Sequence, residues 1–256
     1  MKMNTTLVIN SKGGSGKTTL ATNLASYFAA NAVPTAVMDY DPQGSTMNWL
    51  RLRNPQAARI HGANAAPQRT QLRSVQMHVP VGTQQLIIDA PAGASGLLLQ
   101  DMLSRTDSII IPVAPSTIDI HATANFIRDL LLKGMIRQRN IRVAVCANRV
   151  RSSMPVYQPL ERFLASLGMP MLGRVMDSDV YLKTAETGVG VFEMEFALSA
   201  AERQQLTPIL EWIETEQVKI DPRITQPRPS VLASIPGRGT LSVVTKSIPA
   251  FLTKAS

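Results

Sequence analysis

Residues 11–19 read Ser11-Lys12-Gly13-Gly14-Ser15-Gly16-Lys17-Thr18-Thr19, and this glycine-rich run decides the fold. Just upstream lies a short apolar stretch, Thr6–Ile9, and downstream the apolar residues Leu20, Leu24 and Phe28 recur at helical spacing. Strand, glycine loop and helix therefore follow one another in the order that a phosphate-binding loop requires. The sequence predicts a nucleoside triphosphate site at this junction.

The residue types in the loop suit a phosphate ligand. Gly13, Gly14 and Gly16 lack a Cβ, so the backbone can curve around a phosphate and direct successive N–H groups at it. The helix that follows adds the positive end of its dipole. Lys17 is predicted to neutralise the terminal phosphates, and the Thr18 hydroxyl is predicted to bind Mg²⁺.

The loop departs from the general phosphate-loop pattern at its start, where Ser11 replaces the first glycine and Lys12 adds a second lysine. In this form the segment 12–19 resembles the deviant Walker A loop of the ParA/MinD family of ATPases. The resemblance implies that ATP and Mg²⁺ are the cofactors, and that Lys12 reaches into the nucleotide of a partner subunit in an ATP-dependent homodimer. It also implies the loop's cofactor-binding residues, which are Lys12, Gly13, Gly14, Ser15, Gly16, Lys17, Thr18 and Thr19.

Two further segments resemble the switch regions of the same family. Val37–Gly44 ends a predicted strand with Asp39 and Asp41, and Leu86–Gly93 ends another strand with Asp89. Both apolar runs are typical of buried parallel strands, whose carboxyl ends form the ligand-binding edge of an open α/β sheet. The resemblance implies that Asp41 positions the attacking water, and that Asp39 and Asp89, with Thr18, support the metal. The predicted catalytic residues are Lys12, Lys17 and Asp41.

Strands and helices alternate along the rest of the chain. Further strand candidates are Ser108–Val113 and Arg142–Asn148, separated by a helical stretch from Asp119 to Met135. This order predicts an α/β fold with a doubly wound, mostly parallel sheet and helices on both faces, as in P-loop NTPases. Asn148 and Arg149 are similar to the pair that contacts adenine in ParA/MinD proteins, although an Asn that ends a strand also serves as a turn cap.

Composition favours one domain followed by a basic tail. The 256 residues are 45% hydrophobic, and no apolar stretch approaches the ~20 residues that a transmembrane helix needs. We expect a cytoplasmic protein without a secretory signal, with an ATPase domain over residues 1–216 and a flexible, proline-containing tail over residues 217–256. The single cysteine, Cys146, excludes an internal disulfide and the iron–sulfur reductases that share a similar loop.

Positive charge indicates a phosphate-rich partner. The net charge is +8, and residues 133–151 contain no acidic residue and six basic ones: Lys133, Arg137, Arg139, Arg142, Arg149 and Arg151. Such a set favours nonspecific DNA, and hence association with the nucleoid, although a solvated basic face is the alternative. Asp177 and Asp179 interrupt the basic pattern that is usual in chromosomal ParA relatives.

The tail carries six basic residues and one acidic residue. Near its end, apolar residues lie at helical spacing beside two lysines, which would suit a basic amphipathic helix on an anionic membrane: Leu241, Val244, Ile248, Phe251 and Leu252, with Lys246 and Lys254. Pro249 weakens that helix, so we favour a tail that folds back on the domain or stays disordered. Membrane contact is therefore considered but not favoured.

The family resemblance implies a switch rather than a metabolic enzyme. We expect an ATPase of low intrinsic turnover that dimerises on ATP, binds nonspecific DNA and releases it after an adaptor protein stimulates hydrolysis. Its cargo is expected to be a protein organelle such as the carboxysome, as in the McdA subgroup. The alternatives are a plasmid or chromosome partition ATPase and a MinD-like ATPase that cycles on and off a membrane.

Overall fold

The computed structural model of the protein describes residues 3–67, 77–115, 117–132, 134–151, 162–163, 165–166 and 168–215. The chain divides into two units, Met1–Glu216 and Gln217–Ser256. The second unit, which includes the amphipathic pattern at 241–252, lies outside the described residues, as does Lys133. The predicted domain limits and the flexibility of the tail stay predictions.

A single parallel sheet forms the centre of the described part. Its seven strands are β1 (Asn4–Val8), β2 (Thr35–Asp39), β3 (Ile60–Asn64), β4 (Gln85–Asp89), β5 (Ser108–Val113), β6 (Arg142–Val150) and β7 (Met171–Met176). Their spatial order is β3-β2-β4-β1-β5-β6-β7, so β2 to β4 lie on one side of β1, with β4 inserted next to it, and β5 to β7 lie on the other. The reversal beside β1 is the position at which open α/β sheets bind ligands.

Helices cover both faces of the sheet. They are α1 (Lys17–Ala30), α2 (Ser45–Leu52), α3 (Gly96–Arg105), α4 (Thr117–Leu131), α5 (Gly134–Gln138), α6 (Asp179–Thr187) and α7 (Phe196–Glu214). Side chains alternate along β1, so that Leu7 packs with α3 and α4 on one face while Val8 packs with α1 and α7 on the other. The predicted doubly wound fold is confirmed. Among the described helices, none combines the length and apolarity needed to span a bilayer.

The structure differs from the sequence prediction at the two edges of the sheet and in one helix. The edge strands β3 and β7 were not predicted, because β3 contains His61 and Gly62 and β7 contains Gly173, which interrupt a β-branched pattern. The helix predicted from 119 to 135 was wrong in its extent, since α4 ends at Leu131 and α5 begins at Gly134. Glycine is a poor helix former, and the break lets Ile136 of α5 enter the core.

Two carboxylates meet at the carboxyl edge of the sheet. Asp39 ends β2 and Asp89 ends β4, and the register of these neighbouring strands pairs the two residues directly. Both side chains are buried, at 0% and 1% exposure. The fold thus brings the ends of both predicted switch strands next to the loop that leaves β1.

Candidate nucleotide-binding site

The glycine-rich loop connects β1 to α1 and is held by the buried side-chain amide of Asn148. Gly16 is the N-cap of α1 with φ 84°, and a Cβ at this position would collide with the side-chain amide of Asn148. That amide donates a hydrogen bond from Nδ2 to the carbonyl oxygen of Ser15 at 2.7 Å. Only glycine satisfies both the left-handed backbone and this close approach. Asn148, predicted to contact adenine, therefore also fixes the phosphate loop.

The loop begins at a second buried amide that sequence reasoning missed. Asn10 is fully buried at the end of β1, where Nδ2 donates to the Pro112 carbonyl oxygen at 2.7 Å. Its Oδ1 accepts from the backbone N–H of Lys12 at 3.2 Å. A polar residue that directly follows an apolar strand is the available sequence signal for such an anchor. The predicted role of Lys12 toward a partner subunit stays a prediction.

Lys17 is a buried cation held inside the loop. The residue is 7% exposed, and its Nζ donates to the carbonyl oxygen of Lys12 at 2.9 Å. Burial lowers its pKa, while the charges of Asp89 and Asp41 oppose that shift. Because its hydrogen-bond partner is a neutral carbonyl, that contact does not neutralise the ammonium group. Its positive charge therefore remains available to an anionic ligand.

Asp89 receives two hydroxyl groups on one oxygen. Oδ2 accepts from Thr18 Oγ1 at 2.8 Å and from Thr46 Oγ1 at 2.7 Å. Oδ1 is buried and has no hydrogen-bond partner among the described residues. Burial raises the pKa of Asp89 to about 7, and the two hydroxyls act against that shift. A buried carboxylate oxygen without a partner favours a cation nearby.

Asp39 and Asp41 hold the first switch segment in different ways. Asp39 accepts the backbone N–H of Asp41 on Oδ1 at 2.9 Å and that of Met47 on Oδ2 at 3.1 Å. Burial raises the pKa of Asp39, and the backbone hydrogen bonds lower it. Asp41 lies farther out and accepts from the backbone N–H of Gln43 at 2.9 Å. Asp39 thus fixes the loop and the start of α2, while Asp41 faces the cleft.

These elements surround a cleft of about 710 Å³. The loop and the first turn of α1 line it with Gly13, Gly14, Gly16, Lys17, Thr18 and Thr19. Asp41, Asn148 and Arg149 line it from other strand ends, so most predicted site residues meet in one place. Ser15, Asp39 and Asp89 are buried behind this surface. The volume falls within the range of ordinary small-molecule sites.

The cleft fits Mg²⁺ bound together with a phosphate ligand. Among the described residues, no three Asp, Glu, His or Cys side chains group closely enough to hold a metal alone. Mg²⁺ suits this arrangement, because it binds through one or two protein oxygens, several waters and the phosphates of its substrate. Among the described residues, the Thr18 hydroxyl in the cleft and the partnerless Oδ1 of Asp89 behind it are candidate oxygen ligands.

An ion-paired group lies at the other end of the cleft. Arg149 has an unusual left-handed backbone with φ 57°, and its Nη1 donates to the Gly14 carbonyl oxygen at 3.2 Å. Its Nε donates to Asp177 at 3.3 Å, and Arg151 Nη2 lies 2.7 Å from the same carboxylate. The hydrogen bond from Arg151, followed by that from Arg149, lowers the pKa of Asp177 against its partial burial. This triad ties the end of β6 to the segment that precedes α6.

The described basic residues of the run at 133–151 are spread from α5 along the length of β6. Arg142 lies at the opposite end of β6 from Arg149, about 23 Å away at roughly 3.3 Å per strand residue. Its guanidinium donates to the Trp212 carbonyl oxygen at 2.8 Å and stacks 4.4 Å from the Trp212 ring centroid. Arg137 and Arg139 are exposed. The β6 strand thus separates Arg142 from Arg149 and Arg151, and the predicted DNA binding stays a prediction.

The comparison with known families agrees with this geometry. The family described as the CobQ/CobB/MinD/ParA nucleotide binding domain matches residues 6–191. The chain belongs to this MinD/ParA family. Members of the family are ATPases, so nucleotide binding and ATP hydrolysis apply to this chain at the level of the family.

Sequence relatives of this MinD/ParA protein include two proteins that are each named maintenance of carboxysome distribution protein A. The one from Halothiobacillus neapolitanus is 24% identical over 191 residues, which cover 74% of this chain and 87% of the relative. The one from Gloeobacter kilaueensis is 34% identical over 114 residues, which cover 44% of this chain and 50% of the relative. This chain thus spans half of the second protein.

Solved structures share the fold of this family member. MinD from Pyrococcus horikoshii in complex with Mg-ADP superposes with a TM-score of 0.65 at 15% identity, covering 84% of this chain and 97% of MinD. Apo McdA from Cyanothece gives a TM-score of 0.60 at 16% identity, covering 83% and 98%. At these identities the likeness concerns the fold alone.

Proposed function

We propose that the protein is an ATP-hydrolysing switch that positions a cellular cargo. The observation that carries this proposal is the convergence of Lys17, Thr18 and Asp41 on one phosphate-loop cleft, with Asp89 and its partnerless oxygen buried directly behind Thr18. The loop N–H groups and Lys17 bind the phosphates, Thr18 and Asp89 support Mg²⁺, and Asn148 and Arg149 flank the base end. When bound, Mg²⁺ would supply charge neutralisation for the terminal phosphates.

Hydrolysis in this proposal depends on the Asp41 carboxylate and on a second lysine, Lys12, from the partner protomer. Asp41 faces the cleft from a loop fixed by Asp39, so its carboxylate is available to orient a water molecule. Lys12 supplies a second cation from the partner protomer, somewhat as an arginine finger does. ATP binding and homodimer formation are therefore coupled, and hydrolysis dissolves the dimer.

The test of this coupling uses three variants. Lys17→Ala should lose nucleotide binding measured with a fluorescent ATP analogue, while the control Lys183→Ala, an exposed lysine of α6, should bind normally. Lys12→Ala should bind ATP but remain monomeric by light scattering. Asp41→Ala should form the ATP dimer and release phosphate slowly. A normal ATP dimer of Lys12→Ala would contradict the role of Lys12 across the interface.

Nonspecific DNA is the proposed surface on which the dimer acts, with the nucleoid as its place in the cell. The support is the net charge of +8 and the exposure of Arg137 and Arg139. Sedimentation with DNA should require ATP and weaken steeply with salt. Arg137→Ala/Arg139→Ala should reduce it, whereas the control pair Arg51→Ala/Arg59→Ala changes exposed arginines near the β3 edge of the sheet and should not.

A protein organelle such as the carboxysome is the proposed cargo, reached through an adaptor that stimulates hydrolysis. Its support is the name of the two relatives that act in carboxysome distribution. A partition ATPase is the second candidate, favoured by the relatives named ParA and Soj. Capture of an adaptor on the ATP-locked Asp41→Ala dimer separates the two, since a centromere-binding protein would refute the organelle.

Membrane cycling is the alternative that the same sedimentation assay excludes or supports. Its sequence basis is the amphipathic pattern at 241–252, which lies outside the described residues. Acidic liposomes should not sediment the protein with ATP if DNA is the true surface. Liposome binding that requires ATP, without binding to DNA, would reverse this choice and favour a MinD-like cycle.

A further inference from the structure

The first turn of α2 contributes a buried hydroxyl to the metal end of the cleft. Thr46 is completely buried, and its Oγ1 donates to Asp89 Oδ2 at 2.7 Å. The Thr18 hydroxyl donates to the same oxygen at 2.8 Å. Each threonine hydroxyl has a single proton to donate, so both protons are committed to Oδ2. The acceptor capacity of Asp89 that remains is concentrated on Oδ1, which is buried without a partner in the described part of the chain.

The two hydroxyls differ in what else they do. Thr18 lines the cleft and is the predicted metal ligand, so its oxygen is shared between Asp89 and the cation. Thr46 is fully buried, and its hydroxyl lies against Asp89 from the side of α2. Its hydrogen bond therefore restrains the rotation of the Asp89 carboxyl group from outside the cleft. Such outer partners of metal-supporting carboxylates set their orientation.

Thr46 itself is held in place, because α2 is anchored both in its first turn and at its middle. At the N-terminal end, Asp39 accepts the Met47 backbone N–H at 3.1 Å. At the middle of the helix, Trp49 Nε1 donates to the Thr184 carbonyl oxygen of α6 at 2.9 Å. A helix fixed in this way presents the Thr46 hydroxyl at one defined position, which is the condition for a positioning role.

We infer that Thr46 is a positioning residue of the Mg²⁺ site, whose hydroxyl orients Asp89 and links the first switch helix to the metal. The inference rests on the proposed function, because it assumes that Mg²⁺ binds with the nucleotide. It adds a group that the strand-end carboxylates alone do not provide. Removing the Thr46 hydroxyl should weaken Mg²⁺ binding while leaving metal-free nucleotide binding intact.

The experiment measures fluorescent ADP binding to the full chain over a Mg²⁺ titration, a readout that does not require hydrolysis. Thr46→Val keeps the shape of the side chain and removes the donor, and it should raise the half-saturating Mg²⁺ concentration about tenfold or more. Affinity for ADP in EDTA should stay within about twofold. Thr46→Ser restores the donor and should return the Mg²⁺ response toward that of the unaltered protein.

A matched control separates positioning from packing. Thr106 is equally buried at the end of α3, and its Oγ1 donates to the Met102 carbonyl oxygen at 2.7 Å, away from the cleft. Thr106→Val should leave the Mg²⁺ response unchanged. If Thr46→Val does not fold, judged by circular dichroism, Thr46→Ala compared with Thr46→Ser gives the same readout.

Two outcomes overturn the inference. An unchanged half-saturating Mg²⁺ concentration in Thr46→Val would show that the hydroxyl does not orient Asp89. An equal loss of ADP affinity with and without Mg²⁺ would assign Thr46 a packing role only. Failure of the unaltered protein to bind ADP would instead refute the proposed function, so the two failures are distinguishable.

Discussion

Alanine at two helix-starting glycines tests the geometry of the phosphate loop. Gly16 begins α1 with φ 84° and Gly44 begins α2 with φ 64°, and neither helix has a side-chain cap hydrogen bond at that residue. The surroundings differ. A Cβ on Gly44 meets nothing within 4 Å, whereas a Cβ on Gly16 collides with the amide of Asn148. The pair therefore separates backbone strain from the contact with Asn148.

The expected magnitudes follow from these two terms. A left-handed alanine costs about 1–2 kcal/mol relative to glycine, and this cost applies to both sites. At Gly16 the amide of Asn148 must also move away from the Ser15 carbonyl oxygen, which breaks a buried 2.7 Å hydrogen bond and costs about 1–3 kcal/mol more. We expect Gly44→Ala to lower the free energy of unfolding by about 1 kcal/mol and Gly16→Ala by about 3 kcal/mol.

The assay is equilibrium urea unfolding without nucleotide, which reports the free energy of unfolding of each variant. A double-mutant cycle identifies the cause: in an Asn148→Ala background the collision is absent, so Gly16→Ala should cost only about as much as Gly44→Ala. Equal losses for Gly16→Ala and Gly44→Ala in the otherwise unaltered chain would refute the proposed contact. An unreduced loss in the Asn148→Ala background would refute it independently.

Buried charges give two more tests. Arg53→Met should lower the free energy of unfolding by about 3–5 kcal/mol, because it leaves Glu193 buried without its 2.5 Å ion-pair partner. The control Arg105→Met breaks the more exposed pair with Asp101 and should lower the free energy of unfolding by less than about 1 kcal/mol. Burial raises the pKa of Asp89 to about 7 in the folded state. Between about pH 4 and pH 7, the folded state therefore holds a proton on Asp89 that the unfolded state has lost. Metal-free protein should therefore lose up to about 1.4 kcal/mol per pH unit as pH rises through that window, and Asp89→Asn should flatten this slope in urea titrations. Parallel slopes for the two proteins would contradict the raised pKa.

The sequence predicted the parts of the fold that depend on local pattern. The phosphate loop was readable because its glycines and lysines must follow one another between a strand and a helix. The buried strands that end at Asp39 and Asp89 were readable as apolar runs, and their parallel order followed from the alternation with helices. The edge strands β3 and β7 were not predicted, because edge strands are only partly buried and tolerate glycine and polar residues.

Partners that are distant in the chain could not be predicted. Arg53 and Glu193 form a buried pair although 140 residues separate them, and neither neighbourhood signals the other. Thr46 resembles any threonine that begins a helix until β2 and β4 bring it to Asp89, 43 residues later in the chain. Proximity along the chain also does not show which basic residues share a surface, since β6 carries Arg142 to the opposite end of the strand from Arg149.

The two strand-end aspartates show how packing divides a role that the sequence leaves equal. Asp39 and Asp89 end neighbouring strands in direct register, and the family resemblance implied the same metal-supporting role for both. Asp39 accepts backbone N–H groups on both oxygens, which ties it to the loop and to α2. Asp89 accepts two hydroxyls on Oδ2 and leaves Oδ1 without a partner among the described residues. Asp89 keeps more acceptor capacity for a cation than Asp39, because its Oδ1 receives no donor while each oxygen of Asp39 already accepts an N–H. Asp89 is therefore the better candidate for supporting Mg²⁺, and Asp39 holds the loop that carries Asp41.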